Sequence, residues 1–139
     1  MPFAAKLRCF AYAVIAGVAL IATWSQNVAY LGGAALSGFP TDLKANPATR
    51  SFTVDLLLLF LAAAILMVVE ARRHRIPYVW AYLAGGALIA ISVTFPLFLI
   101  AREWRTAGTD TARLTVVDTV LLTVIGILTV AMVIWVDWL

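Results

Sequence analysis

The chain has 139 residues, of which 64% are hydrophobic and only 12% are charged, and its mean hydropathy is +1.01. Because soluble domains are about 45–50% apolar and about 25% charged, this composition excludes a soluble domain and predicts a single all-α, polytopic membrane domain. The formal net charge of +3 comes from Lys and Arg at the predicted helix ends, which favours membrane lipids over nucleic acid as partners.

Four apolar stretches predict an antiparallel bundle of four transmembrane helices, with spans at about 8–31, 50–71, 77–101 and 113–137. Each stretch has roughly the 20 residues that a helix needs to cross the hydrocarbon core. The first span follows Lys6 and Arg8 as a signal peptide would, but it is longer than the apolar region of a signal peptide. We therefore expect an uncleaved anchor.

Three prolines mark the predicted spans. Asn46 followed by Pro47 is typical of an N-cap and a first helical residue, and Pro77 suits the first turn of the third span. Pro96 lies inside the third span, where it cannot donate a hydrogen bond to the carbonyl of Ser92. The sequence therefore predicts a kink at Pro96.

Orientation is predicted from the basic residues, which this threading divides equally between the two ends of the bundle. One end holds Lys6, Arg8, Arg72, Arg73 and Arg75, and the other holds Lys44, Arg50, Arg102, Arg105 and Arg113. The first group contains a run of four basic residues, 72–75, in the shortest loop. We therefore expect this end in the cytoplasm of a bacterium, with both termini on that side of the plasma membrane.

The same threading brings the polar residues of all four spans into one leaflet, the outer one in this orientation. Ionisable side chains in hydrocarbon are costly and rare, so they are candidates for function. The candidate site, which could be structural or could bind a ligand, consists of Gln26, Asn27, Tyr30, Asp55, Arg102 and Asp118.

Three interpretations of this cluster remain open. Arg102 could pair with Asp55 or Asp118 and fix the helix register, with hydrogen bonds from Asn27 and Tyr30. The cluster could instead bind a ligand, a proton or an ion. Finally, both aspartates lie near predicted helix N-termini, where the helix dipole favours a carboxylate without any further role. Glu70 is expected at the opposite face, beside Arg72 and Arg73, in the headgroup layer or in a local salt bridge.

Signals of catalysis are missing from the sequence. Cys9 is the only cysteine and His74 the only histidine, so neither a disulfide nor a His or Cys metal set is predicted. Neither a serine-hydrolase elbow nor a phosphate-binding loop occurs. We expect no cofactor, no metal and no enzyme activity.

Several segments together resemble a small bacterial membrane family that is catalogued only as a domain of unknown function. They are 23–27 with Tyr30, 45–49 with Ser51, Thr53 and 55–57, 70–73, and 95–99 with Arg102 and Glu103. The similarity covers about residues 20–103. The resemblance implies a three-span core to which the fourth span, at 113–139, is an addition, and it implies no activity.

Two main functional hypotheses follow. The first is a non-catalytic accessory or structural subunit that packs against a larger membrane assembly. The alternative is a bundle that binds a lipid or isoprenoid-like ligand, or handles a proton or ion, at a polar site in the outer half of the membrane. An enzyme acting on a lipidic substrate is a third, weaker hypothesis, because it needs two carboxylates at a common cavity.

Overall fold

The computed structural model describes residues 1–33, 36–107, 109 and 114–138, and no strand occurs among them. The helices are α1 Phe3–Gly33, α2 Phe39–Asp42, α3 Pro47–His74, α4 Val79–Gly85, α5 Ile91–Thr106 and α6 Val116–Trp138, with a 3-10 turn at Leu36–Gly38 and a π-helical segment at Gly86–Ala90. Four helical stretches are long and apolar enough to span a membrane: Phe3–Gly33, Pro47–His74, Val79–Thr106 and Val116–Trp138. The all-α fold class with four such helices is confirmed. Residue 113, the predicted start of the last span, lies outside the described residues.

The start of α3 follows the prediction from Asn46 and Pro47. The Asn46 side chain accepts a hydrogen bond from the Thr49 backbone N–H at 2.9 Å, and the Thr49 hydroxyl accepts one from the Asn46 N–H at 3.1 Å. This reciprocal capping satisfies two backbone donors that a helix start leaves without partners. Pro77, by contrast, lies in the turn before α4, which begins two residues later.

The third apolar stretch folds back on itself at Ala90. Ala90 has φ −175° and ψ 137°, an extended conformation that ends one helix and begins the next. The rings of Tyr82 and Phe98 are only 5.7 Å apart between centroids, although sixteen residues of continuous helix would separate them by about 24 Å. Residues 79–106 therefore form an antiparallel helical hairpin, the α4–α5 hairpin.

Glycine allows the two arms of this hairpin to approach closely. A Cβ atom at Gly86 would lie 3.0 Å from the side chains of Ile91 and Thr94 and 3.1 Å from Phe60 of α3. A Cβ atom at Gly85 would lie 3.0 Å from Thr94. The tip of the hairpin thus depends on residues without side chains.

The hydrophobic core lies where the hairpin packs against the C-terminal half of α3. Phe98 and Met67 are completely buried, and the cluster is completed by Ala71, Ile76, Val79 and Leu83. On its other side α5 packs along α1. The returning arm of the hairpin is therefore the central helix of the fold.

The fold-back changes which residues share an end of the bundle. The basic end contains Arg8, Glu70 and Arg102, which pair with one another or with their neighbours. The distal end contains Tyr30 and Asp42, which are hydrogen-bonded to each other. The threading prediction was wrong for the third span, because α5 ends at the basic end and not at the distal end.

The C-terminal part of α6, including Asp137, lines the same groove as Gln26 and Asn27, and Gln26 is about 27 Å along α1 from Arg8. The described C-terminal residues of α6 therefore lie toward the distal end of the bundle, and the first residues of α1 lie at the basic end. Pro96 lies within α5, and the change of chain direction occurs six residues earlier, at Ala90.

The hairpin predicts a specific labelling pattern in intact cells. In a Cys9→Ser background, Lys6→Cys and Ala107→Cys should react with a membrane-impermeant thiol reagent from the same side, and Lys44→Cys from the other. A continuous third span would instead place Ala107→Cys with Lys44→Cys. Accessibility before and after permeabilisation decides between the two threadings.

Close packing at the hairpin tip predicts a position-dependent effect of a large side chain. Gly86→Leu should lower the free energy of unfolding by about 1–3 kcal/mol, because the new atoms overpack Thr94 and Phe60. Gly17→Leu is the matched control, since nothing lies within 4 Å of a Cβ atom at Gly17. Denaturation in detergent followed by circular dichroism measures both, and equal effects would contradict the close approach.

Candidate functional site: the ion-pair network of the basic end

Two buried carboxylates face arginines at the basic end. Glu103 of α5, with 5% of its side chain exposed, receives two parallel hydrogen bonds from Arg8 of α1: Nε to Oε1 at 2.8 Å and Nη2 to Oε2 at 2.9 Å. A bidentate pair of this kind restrains orientation as well as distance. It joins the first turns of α1 to the last turns of α5.

The second carboxylate, Glu70 of α3, has three basic neighbours. Arg102 Nε donates to Glu70 Oε2 at 2.5 Å, and His74 Nε2 lies 3.3 Å from the same oxygen. Arg73 Nη1 donates to Glu70 Oε1 at 3.4 Å. Glu70 therefore ties the end of α3 to the residue that precedes Glu103 on α5.

The network connects α1, α3 and α5 through two consecutive residues of α5, Arg102 and Glu103. Arg102 points to α3 and Glu103 to α1, so adjacent residues of opposite charge connect α5 to both neighbours. Removing one partner from such a buried pair leaves an uncompensated charge, which is strongly destabilising. The arrangement therefore fixes the register of the returning hairpin arm against α1 and α3. Among the residues that the structure describes, no group of three or more His, Cys, Asp or Glu side chains converges to hold a metal ion.

Arg102 does not meet the aspartates that the sequence suggested as its partners. Its carboxylate partner among the described residues is Glu70, so the prediction of a pair with Asp55 or Asp118 is wrong. The physical reason is the reversal at Ala90, which returns Arg102 to the end of α3. Glu70 itself stays at the basic end, away from Asn27 and Tyr30, and its ion pair with Arg73 is the local salt bridge that the sequence offers as one alternative.

Asp118 has a local role at the start of α6. Its carboxylate accepts a hydrogen bond from the Thr115 N–H at 2.8 Å, and its own N–H donates to the Thr115 hydroxyl at 3.1 Å. Asp118 is about 28 Å along the helix from Asp137, which lies beside Asn27. The predicted candidate site is thus divided between the ends of the molecule.

Tyr30 binds to the segment that follows α1. Its hydroxyl donates to Asp42 Oδ2 at 2.7 Å, and its ring packs edge-on against Phe39 with the centroids 5.3 Å apart. Asp55 lies in a shallow depression on the surface of α3 beside Arg50 and Ser51. Within the described part of the chain, Asp55 has no side-chain hydrogen bond or ion pair.

Gln26 and Asn27 remain together and line a groove between α1 and α6. The groove has a volume of about 720 Å³, and its α1 side also includes Ala22 and Thr23. Its α6 side consists of Ile125, Leu128, Thr129, Met132, Val133, Val136 and Asp137. Asp137 Oδ2 is buried and accepts no hydrogen bond from a described residue. The groove is therefore apolar along most of its length and polar where Gln26, Asn27 and Asp137 meet it.

Most of the network lies outside the site that the sequence predicts. Arg8 and Glu103 are not among the candidate site residues, and Glu70 is predicted only in the headgroup layer or in a local salt bridge, of which the pair with Arg73 is an example. One signal was available: the third apolar stretch contains Gly85 and Gly86 in succession, and adjacent glycines permit the close approach that a reversal of the chain requires. The equal division of basic residues between the two ends was a second signal, because membrane proteins usually show a bias.

Buried carboxylates in this network predict a large loss of stability when one partner is neutralised. Glu103→Gln should lower the free energy of unfolding by about 3 kcal/mol, because the Arg8 guanidinium loses its counter-charge. The double variant Arg8→Met with Glu103→Leu should recover much of this loss, since it removes both charges. Asp55→Asn makes the same chemical change at the surface of α3 and is the matched control, with little effect expected. Reversible denaturation in detergent measures all three, and a loss in Asp55→Asn as large as that in Glu103→Gln would contradict the assignment.

Comparison with known proteins agrees with the resemblance seen in the sequence. Neither curated proteins nor solved structures give a match. A family described as Protein of unknown function DUF2834 matches residues 11–104, which include Glu70, Arg102 and Glu103 and end before α6 begins. Since the match covers more than half of the chain, this protein belongs to the DUF2834 family.

Proposed function

We propose that this protein is a non-catalytic accessory subunit that packs through α6 against a larger membrane protein. The observation that carries this proposal is the sparse packing of α6 within its own chain. None of its most apolar stretch is buried, whereas a third of the corresponding stretch of the hairpin is buried. A helix that packs so little against its own chain has an apolar surface on which another membrane protein can pack.

The character of the exposed surface supports the same proposal. Thr119 and Thr123 are four residues apart on one face of α6, and Thr129 lies six residues further along. Each hydroxyl donates to the carbonyl four residues earlier, at distances of 2.7 to 3.0 Å. Small hydroxyl-bearing residues are typical of contacts between membrane helices, where they permit close approach. The partner we propose is therefore a transmembrane helix.

We further propose that the membrane is a bacterial plasma membrane with the basic end in the cytoplasm. Of the Lys and Arg residues in the described part of the chain, Lys44 and Arg50 lie on the distal side. The other seven belong to the basic end: Lys6, Arg8, Arg72, Arg73, Arg75, Arg102 and Arg105. This bias matches the positive-inside rule. The bacterial source rests on the resemblance alone.

Site-specific crosslinking in the native membrane tests the accessory role. A photoreactive residue at Leu121 or Ile127, both more than half exposed on α6 and outside the groove that faces α1, should crosslink to one distinct protein. The same residue at Phe3, which is also exposed, is the control and should not produce that adduct. The proposal fails if α6 crosslinks only to lipid and the protein migrates alone in a mild detergent.

A second candidate function is binding of an amphiphilic, lipid-like ligand in the groove between α1 and α6. The specific observation is the buried Asp137 carboxylate oxygen at the polar part of an otherwise apolar groove. A ligand with a hydrogen-bond-donating head would satisfy this oxygen together with Gln26 or Asn27, and its apolar tail would follow α6. Such a groove suits a lipid or an isoprenoid-like molecule.

Replacement of one carboxylate oxygen of Asp137 by an amide nitrogen tests this second candidate function. Asp137→Asn should reduce the amount of lipid-like material that co-purifies with the protein, measured by mass spectrometry of extracts, while the melting temperature stays unchanged. Asp55→Asn is the control. The ligand hypothesis is wrong if the two variants retain the same lipids as the original protein.

A further inference from the structure

The basic end has an unusual separation of charge. Its two acidic side chains on α1, α3 and the hairpin, Glu70 and Glu103, are buried beneath basic partners. The exposed charged residues of the same elements at this end are all basic: Lys6, Arg72, Arg73, Arg75 and Arg105. The network therefore does more than join helices, because on α1, α3 and the hairpin it withdraws the negative charges and leaves exposed charge that is entirely basic. Asp118 of α6 adds an exposed carboxylate toward this end, where it accepts a hydrogen bond from the Thr115 N–H.

The turn between α3 and α4 presents part of this surface at a conformational cost. Arg75 has φ 52° and Tyr78 has φ 62°, both in the left-handed region that side chains other than glycine rarely occupy. Arg75 ends α3, and its N–H donates to the carbonyl of Ala71. Glycine would fit Arg75's position with less strain. A basic and an aromatic side chain stand where the backbone favours glycine.

Exposed aromatic residues beside this surface indicate where it lies relative to the bilayer. Tyr78, Trp80 and Trp104 are 80%, 65% and 67% exposed, and they border the basic residues on the turn and on α5. Tyrosine and tryptophan concentrate at the headgroup level of a bilayer, where the ring is in an apolar layer and the polar atom meets water. The basic side chains are thus placed at the height of lipid phosphates.

We propose that this surface, formed by Lys6, Arg72, Arg73, Arg75 and Arg105, binds the headgroups of anionic phospholipids. Charge complementarity identifies the occupant, since the exposed cations lie beside interfacial aromatic residues and not in an aqueous domain. Guanidinium groups bind phosphate oxygens through paired N–H donors, and four of the five residues are arginines. This inference is independent of any protein partner of α6.

Lipid selection measured by fluorescence quenching tests the proposal. Bilayers of phosphatidylcholine containing brominated phosphatidylglycerol are compared with bilayers containing brominated phosphatidylcholine, in a Trp24→Phe, Trp135→Phe, Trp138→Phe background that leaves Trp80 and Trp104. We expect stronger quenching by phosphatidylglycerol. Since each basic residue near an anionic surface strengthens association about fivefold, Arg72→Gln with Arg75→Gln and Arg105→Gln should reduce the selectivity by tenfold or more, to a limit of no preference.

Controls separate lipid binding from loss of fold and from binding of free anions. Lys44→Gln with Arg50→Gln removes cations from the distal side and should leave the selectivity unchanged. In the protein without the arginine substitutions, about 1 M salt should abolish the selectivity, because the Debye length falls to about 3 Å. This second measurement does not require any of the arginine variants to fold. The proposal is overturned if phosphatidylglycerol and phosphatidylcholine quench equally at low salt, if the distal control loses as much selectivity, or if inorganic phosphate at matched ionic strength displaces the lipid.

Discussion

The rest of the fold depends on the neutralisation of two carboxylates inside an apolar chain. Glu70 and Glu103 are each mostly buried, and a buried carboxylate is tolerable only beside a counter-charge with good hydrogen-bond geometry. Arg102 and Glu103 are neighbours in sequence, so α5 satisfies Glu70 on α3 and also takes Arg8 from α1. These contacts require the end of α5, the end of α3 and the start of α1 to lie together. A straight third span would separate Arg102 from Glu70 by most of the membrane.

The hairpin is the backbone arrangement that meets this requirement. Gly85 and Gly86 let α5 approach α4, Ala90 adopts an extended conformation between them, and the Phe98 ring fills the space between α3 and α4. The polar network and the hydrophobic core therefore favour the same arrangement at the same end of the molecule. Agreement between local conformation, packing and charge is what a well-specified fold shows. Among the described residues, the buried hydrophobic cluster lies at this end, and the helices of the distal half present mainly apolar surface.

Much of the fold could be predicted from the sequence, and the reasons for success and failure are physical. Apolar length predicts the helices, and Asn46 with Pro47 predicts the start of α3, because both signals are local. The return of the hairpin depends on contacts between Glu70 and Arg102, which are 32 residues apart and acquire meaning only once the chain has reversed. Hydropathy is the same for a straight span and for a hairpin. Of the predicted site, Gln26 and Asn27 stay together because they are adjacent residues of one helix, while Arg102, Asp55 and Asp118 separate because their proximity depended on the threading.

The hairpin also determines the cross-sectional area of the protein in each leaflet of the bilayer. Among the described residues, the cross-section around the basic end contains α1, α3 and both arms of the hairpin, whereas beyond the tip at Ala90 the hairpin is missing and α1 and α3 continue beside α6, with the short α2 at the end of α1. The protein is therefore broader in one leaflet than in the other. A tapered body of this kind packs with less strain where the membrane curves away from its broader end. The shape of this small bundle therefore makes it suited to respond to the curvature of the bilayer as well as to its charge.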